Sequence, residues 1–424
     1  MPSSMPRNAM HMPTEIVNLI FSVFSTMLST SGRSKFPWFL GHICSNWRSI
    51  FLSMTEDFWS CITVLPGNVR QSSSSHDVDI VKFFLQRDPS APFSFIFTYC
   101  PTFFEISPDV IPSVLEILID ESMRWKHVRF MVGGMDSLPL HRTKHRLALL
   151  ELIDLQWDGN GVPELYDVFQ TAPSLTALYT VSLQGWTNHH YKSLKDLSVS
   201  DGSLVLVTVL PEMTGLKRLT IKYPCNSPIE ISKAVIHPGL TALRCHRSWL
   251  PMLETPALDD LTLYCADEAE PNFSVVSSFM KRSSCNLLRF TIVGAEAGVV
   301  VDHIRLMPSI VHLQLCLSVK LDAVLSHLAH TLEREPLVRH LTSLSIEEST
   351  WTLNDECSLL TPLESLISSR TGAKAKMVDC KMLQRLTVIY EDCEFPTFKT
   401  VAELCKRHGV QYDRRETTLF THFT

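Results

Sequence analysis

The feature that most constrains this chain is a recurring triplet, with apolar residues at positions 1, 4 and 6 of a short segment. It occurs at Trp125/Val128/Phe130, Leu150/Ile153/Leu155, Leu194/Leu197/Val199, Leu216/Leu219/Ile221 and Leu240/Leu243/Cys245. It continues at Leu258/Leu261/Leu263, Leu287/Phe290/Ile292, Ile310/Leu313/Leu315, Leu341/Leu344/Ile346 and Leu383/Leu386/Val388, and Leu175/Leu178 begins a frayed copy. Copies lie mostly 18 to 31 residues apart, lengthening to 42 before the last. Helix-like spacers separate them, for example 162–170, 273–281 and 321–334. A unit of one short strand plus one helix or loop cannot bury its own apolar face, so stacked neighbours must supply the core. The expectation is an α/β chain in which residues 90–390 build one curved sheet of short, mainly parallel strands, with helices or loops on its other side.

Residues 12–64 follow another pattern. Ile16, Leu19, Ile20, Val23, Phe24 and Met27 recur at helical spacing, opposite Glu15, Asn18, Ser22, Ser25, Thr26 and Ser29, and Pro13 starts the segment. Leu40, Ile43, Cys44, Trp47 and Phe51 repeat that spacing, and Thr55-Glu56-Asp57 offers an N-cap and first-turn acids for a third short helix carrying Phe58 and Trp59. Val17, Phe21 and Leu28 flank the first stripe and widen it beyond what one neighbouring helix covers. So small a unit hides only about 60% of its unfolded surface, which implies a further helical partner inside or outside the chain. The predicted organisation is a disordered tail at 1–10, a helical domain at 11–66, a linker at 67–79 containing Gln71 to Ser75, and the repeat array at 80–424.

Composition limits the functional classes. With 45% hydrophobic and 19% charged residues the chain is globular, and a net charge of -6 argues against a general nucleic-acid binder. Twelve cysteines without a Cys-x-x-Cys pair read as reduced thiols of a cytoplasmic or nuclear protein, and no apolar run reaches the length of a membrane span. Phosphate-cradling, nucleophile-elbow and zinc-protease motifs are missing, so no catalytic, cofactor or metal residue is expected. Cys380, Cys393, Cys405 and His408 form the best metal candidate, but Cys405 falls on an apolar helix face. His189-His190 and the basic run 141–146 read as solvated loops. The insertion 349–381 carries an amphipathic piece at Leu359, Leu363, Leu366 and Ile367 and reads as a mobile loop.

Met12-Pro13-Thr14-Glu15-Ile16-Val17, Ile43-Cys44-Ser45-Asn46-Trp47-Arg48 and Phe58-Trp59 resemble the F-box, with Met12 and Phe58 standing where that pattern has Leu. Lys82 to Arg87, Pro89 to Phe95, Arg124-Trp125, Ala172-Pro173-Ser174-Leu175 and Val401 to Val410 extend the likeness to a large fungal family that joins an F-box to degenerate leucine-rich repeats. The resemblance implies a three-helix F-box followed by an irregular leucine-rich-repeat-like solenoid. It also implies a non-enzymatic adaptor that docks on the Skp adaptor of a cullin–RING ubiquitin ligase through Pro13, Ile16, Val17, Ile20, Phe21, Leu40, Ile43, Cys44, Trp47 and Trp59, while the repeats hold a protein substrate. A repeat scaffold without a ligase role, its N-terminal helices acting as a solenoid cap, is the alternative. A hydrolase with scattered residues is a third reading, and it needs a cleft of convergent polar groups. Burial separates the first two: a cap packs Val17, Phe21 and Trp47 inward, whereas an adaptor leaves several of them exposed.

Alternation along the strands sends the residues between and after the apolar ones to the open face of the sheet. Those positions include Arg218, Lys222, Arg244, His246, Tyr264 and Arg289, with Thr220, Asp260, Thr262, Thr291, His312 and Gln314 among them. This mainly basic stripe is the candidate substrate surface, suited to an acidic or phosphorylated protein segment.

Overall fold

The computed structural model describes residues 12–25, 43–54, 58–65, 74–99, 110–132, 139–157, 168–169, 171–183, 191–200, 202–225, 234–265, 273–316, 321–329, 337–348, 356–371, 375, 380–390 and 396–416. The chain divides into two compact units, Met1–Ser200 and Asp201–Thr424.

In the first unit, helices α1 (Thr14–Ser25) and α2 (Ser45–Ser53) precede strand β1 (Cys61–Val64), helix α3 (Ser74–Arg87), β2 (Phe93–Tyr99), helix α4 (Val110–Asp120), β3 (Trp125–Val132), β4 (Leu152–Trp157), β5 (Ala177–Thr180) and β6 (Asp196–Val199). The strands pair in chain order and all in parallel, from β1 to β6. The Pro13 carbonyl accepts the Ile16 and Val17 N–H groups at the start of α1. Cys44 caps α2, its sulfur accepting the Trp47 N–H at 3.5 Å.

Two expectations change here. Phe58 and Trp59 lie in a turn rather than a third helix, and Cys61–Val64 is a strand paired with β2. The cause is local: Ile62 and Val64 are β-branched, alternate with Cys61 and Thr63, and are fully buried on one face. The helical segment also shares its core with the first strands. Rings meet edge to face from Phe21–Trp47 (5.6 Å) through Phe21–Phe51 (5.8 Å), Phe51–Trp59 (5.2 Å), Trp59–Phe84 (6.4 Å) and Phe84–Phe93 (6.2 Å). The run 74–79, assigned to the linker, belongs to α3, whose Ile80, Val81, Phe84 and Leu85 face inward.

In the second unit, β7 (Arg218–Ile221), β9 (Ala242–His246), β11 (Asp260–Tyr264), β12 (Arg289–Val293), β13 (His312–Cys316), β14 (Ser343–Glu348), β15 (Arg385–Tyr390) and β16 (Gln411–Glu416) pair side by side, again all parallel. A separate parallel pair joins β8 (Val235–Ile236) to β10 (Leu253–Glu254). Helices Phe273–Ser283, Ala297–Arg305, Leu321–Leu328, Glu356–Ser369 and Pro396–His408 supply the crossovers that parallel neighbours require. Within the insertion 349–381, read as a mobile loop, the stretch 356–369 is one of these helices, and its amphipathic piece buries Leu363, Leu366 and Ile367. Every residue of the ten full triplets is buried.

The repeats are tied by two polar devices. One carbonyl just before each strand accepts two successive N–H groups of the next repeat: Lys217 from Thr241 and Ala242, Thr241 from Asp259 and Asp260, Leu288 from Val311 and His312, and Val311 from Thr342 and Ser343. The second device is an arginine at or near a helix end that reaches back one repeat. Arg124 Nε donates to the Ala91 carbonyl (2.8 Å), and Arg282 Nη2 to the carbonyls of Leu250 (2.7 Å) and Leu253 (2.9 Å). Arg370, fully buried, donates to those of Val338 (2.5 Å) and Leu328 (3.2 Å). Buried carbonyls must be satisfied. The sequence lacks a regular polar residue after each triplet, and these guanidinium groups do that work instead.

Candidate functional site

Two surfaces carry the candidate side chains, one in each unit. On α1 the apolar residues form two adjacent stripes. Val17 and Phe21 are fully buried, whereas Ile16, Leu19 and Val23 are 45, 63 and 62% exposed and Ile20 is half-buried between them. Leu52 of α2 is also exposed. The helix is therefore apolar on two sides, and among the described residues only one of them is packed into the core. Polar neighbours Glu15, Asn18 and Ser22 share the outward side.

This arrangement corrects the list of docking residues drawn from the sequence. Val17, Phe21, Trp47 and Trp59 lie in the aromatic core, and Trp59 is further held by the Arg87 guanidinium 5.4 Å above its ring. Pro13 and Ile16 are exposed, Ile43 and Cys44 half-buried, and Leu40 lies outside the described residues. By the burial criterion, Val17, Phe21 and Trp47 behave as a cap would require. Leu19 and Val23 supply an outward stripe that a cap does not need.

On the second unit, register aligns the open-face residues into rows across the strands. The row nearest the strand starts reads Arg218, Ala242, Asp260, Arg289, His312, Ser343, Arg385 and Gln411. The next reads Thr220, Arg244, Thr262, Thr291, Gln314, Ser345, Thr387 and Asp413. Long exposed side chains thus border a lane dominated by hydroxyl and amide groups.

Register also decides which cations are available. Arg289 ion-pairs with Asp260 (3.0 Å) and Asp259 (3.4 Å), so its charge is largely answered within the protein. His246 is buried, and its Nδ1 accepts from the Ser248 hydroxyl at 2.9 Å, a structural role. Tyr264 is half-buried, and burial raises its phenol above the usual range, with Arg244 opposing. Arg218 and Arg244 are exposed and Lys222 half-buried. Toward the strand ends, the Cys316 thiol and Gln314 amide both donate to Glu347 Oε2 at 3.2 Å, and burial followed by the Glu347 charge pushes that thiol up. In the first unit, Arg129 Nε meets the buried Asp154 carboxylate at 2.7 Å on the corresponding face.

Sequence reasoning missed Arg385 and Ser343 because the stripe was followed only as far as Gln314. The same alternation applied to Leu383/Leu386/Val388 finds Arg385. Of the metal candidates, Cys393 lies outside the described residues, Cys405 is buried with its thiol pushed up to about 11, and His408 Nδ1 hydrogen-bonds the Thr371 hydroxyl at 3.0 Å. Among the described residues no group of three or more His, Cys, Asp or Glu side chains could hold a metal ion. In the run 141–146, Arg142 pairs with Asp120 at 2.7 Å, and His189 and His190 lie outside the described residues. No described helix is long and apolar enough to cross a membrane.

No family model matches the chain, and no curated protein matches it. The class that the fold defines is α/β, with large parallel sheets built from strands taken in chain order.

Proposed function

We propose that the chain is a non-enzymatic substrate-recognition adaptor of an SCF-type cullin–RING ubiquitin ligase. In this reading α1 and α2 are an F-box-like module that docks on the Skp adaptor, and the parallel repeats are an irregular leucine-rich-repeat-like solenoid whose open face holds a protein substrate. Ubiquitin chemistry belongs to the partner subunits, in the cytoplasm or nucleus. The observation that carries the proposal is the outward stripe of Ile16, Leu19 and Val23. Covering an exposed Leu or Val is worth about 1.5–3 kcal/mol when complete, so a helical partner seated on three such residues gains a substantial association energy.

The test is capture of recombinant Skp adaptor by the full-length chain, compared with the double variant Leu19→Asp/Val23→Asp. Both positions face solvent, so the variant keeps the wild-type melting profile, while two desolvated carboxylates in the interface lower capture at least about a hundredfold. Undiminished capture by that variant, or none by the wild type, overturns the proposal. The inward packing of Val17, Phe21 and Trp47 favours a second reading, a repeat scaffold with a helical cap and no ligase partner. That reading predicts no capture in either case.

A further inference from the structure

The geometry points to an anion-binding site on the open face of the second unit, formed by His312 and Arg385 over Ser343 and fitted to a phosphorylated side chain of an extended protein segment. It rests on the reading of this face as the substrate side.

Register puts His312, Ser343 and Arg385 on three consecutive strands, β13, β14 and β15, in one row. Adjacent parallel strands lie about 4.8 Å apart, so the two outer Cα atoms stand roughly 10 Å apart with the smallest side chain of the three between them. An arginine and a histidine at that separation can both reach one tetrahedral anion above the serine hydroxyl. Both residues are exposed. Among the described residues the Arg385 side chain makes one hydrogen bond, to Gln411 Oε1 at 3.3 Å, and no carboxylate pairs with it. Arg289, on the strand before His312, is by contrast engaged by Asp259 and Asp260. The cluster therefore holds one arginine whose charge no carboxylate among the described residues answers.

The positive field at this place has an internal reporter. His312 is held below the usual imidazole range, by burial first, then by Arg289 and Arg385, with Asp260 opposing. A bound anion reverses the effect of both arginines, so binding favours uptake of a proton at His312.

Two features favour a single phosphate on a protein over a nucleic-acid backbone. Asp260, Glu347 and Asp413 share the face, and with Asp260 and Asp413 paired to Arg289 and Arg415 the rows offer a polyanion few unpaired cations. The two rows on β12 to β16 hold no Phe, Tyr or Trp ring for base stacking, while their Thr, Ser and Gln side chains suit main-chain amides.

The test uses fluorescein-labelled degenerate peptides with a central phosphoserine, and the same peptides with serine, measured by anisotropy on the purified full-length chain without any ligase subunit. The expected result is at least about tenfold preference for the phosphorylated set, competed by inorganic sulfate, with Arg385→Gln and His312→Gln each losing about tenfold or more. Lys281→Gln, an exposed cation on the helix Phe273–Ser283 and not on the open face, serves as the control and stays within twofold. Tighter sulfate competition at pH 6 than at pH 7.5, lost in His312→Gln, is the second readout. Equal affinity for both peptide sets, equal losses in all three variants, or preferential binding of single-stranded RNA overturns the site. Because Skp-adaptor capture is measured separately, failure here leaves the adaptor reading standing, and failure of that capture leaves this site testable.

Discussion

Replacing Arg370 tests how the repeats are held together. Its guanidinium is wholly buried, donates to the Val338 and Leu328 carbonyls, and has no carboxylate partner among the described residues, and burial lowers its pKa from the ordinary value. Arg370→Met keeps most of the volume but orphans two buried acceptors, at about 1–3 kcal/mol each, or roughly 2–6 in all. Against that stands the relief of removing a buried charge, which in other buried ion sites can reach about 1–4 kcal/mol. Arginine is already bonded where it sits, so the carbonyl loss wins, and Arg370→Met should destabilise the second unit by about 1–4 kcal/mol. Arg370→Ala adds the lost contacts of the stem, near 0.8 kcal/mol per methylene plus a cavity, and should cost about 2 kcal/mol more. Urea unfolding followed by circular dichroism gives the magnitude. Hydrogen exchange gives the location, with faster exchange concentrated at 321–345 and 366–390. If Arg370→Met is as stable as the wild type, the clamp contributes nothing that an apolar stem cannot supply, and the argument fails.

Two glycines should respond with opposite signs. A Cβ at Gly298, inside the helix Ala297–Arg305, meets nothing within 4 Å, so Gly298→Ala should stabilise by about 0.5–1 kcal/mol. A Cβ at Gly409 also meets open space, but φ is +69° there, so Gly409→Ala should cost about 1 kcal/mol through strain, and the two urea midpoints should move apart. His303 sets a pH dependence: burial, aided by Arg247 and opposed by the Val299 carbonyl and Asp302, lowers its pKa below the ordinary 6.5. The unfolded chain then binds the proton first, so stability is full above about pH 6.5 and falls as pH drops through the folded pKa. His303→Gln should flatten that slope between pH 7.5 and 5.5, and an unchanged slope would exclude His303 as its source.

The strands were legible because their signal is short-range. Two residues on one strand face, such as Leu261 and Leu263, are enough to mark a buried pleat, and the copies align themselves in the parallel register found. Strand β16 was invisible to that signal, since Gln411–Glu416 carries one aromatic residue, Tyr412, and no apolar alternation, and it pairs with β15 through its backbone. The N-terminal helix failed differently. Its pattern identified a helix, but with Ile16, Leu19 and Val23 beside Val17 and Phe21 it could not tell which stripe the fold would take. That choice was made by Trp47, Phe51 and Phe58, whose rings converge on Phe21.

Charge on the open face was the least legible property, and the reason is geometric. Alternation assigns a side chain to a face, but whether its charge is available depends on the neighbour across the strand. Arg289 and Arg385 read alike in the sequence, each two residues after the first leucine of its triplet. Register puts Asp260 beside Arg289, while Arg385 lies between Ser343 and Gln411. That neighbour is contributed by a segment 29 residues away in the first case and 26 and 42 residues away in the second, distances fixed by crossover lengths that no local pattern encodes. A basic stripe counted along the chain therefore overstates the field, and the cations that matter for a ligand are those left after cross-strand pairing. By that measure Arg289 drops out of the stripe, while Arg244 remains between Thr220 and Thr262 and Arg385 remains one strand beyond Ser343 from His312, whose pKa it helps to lower.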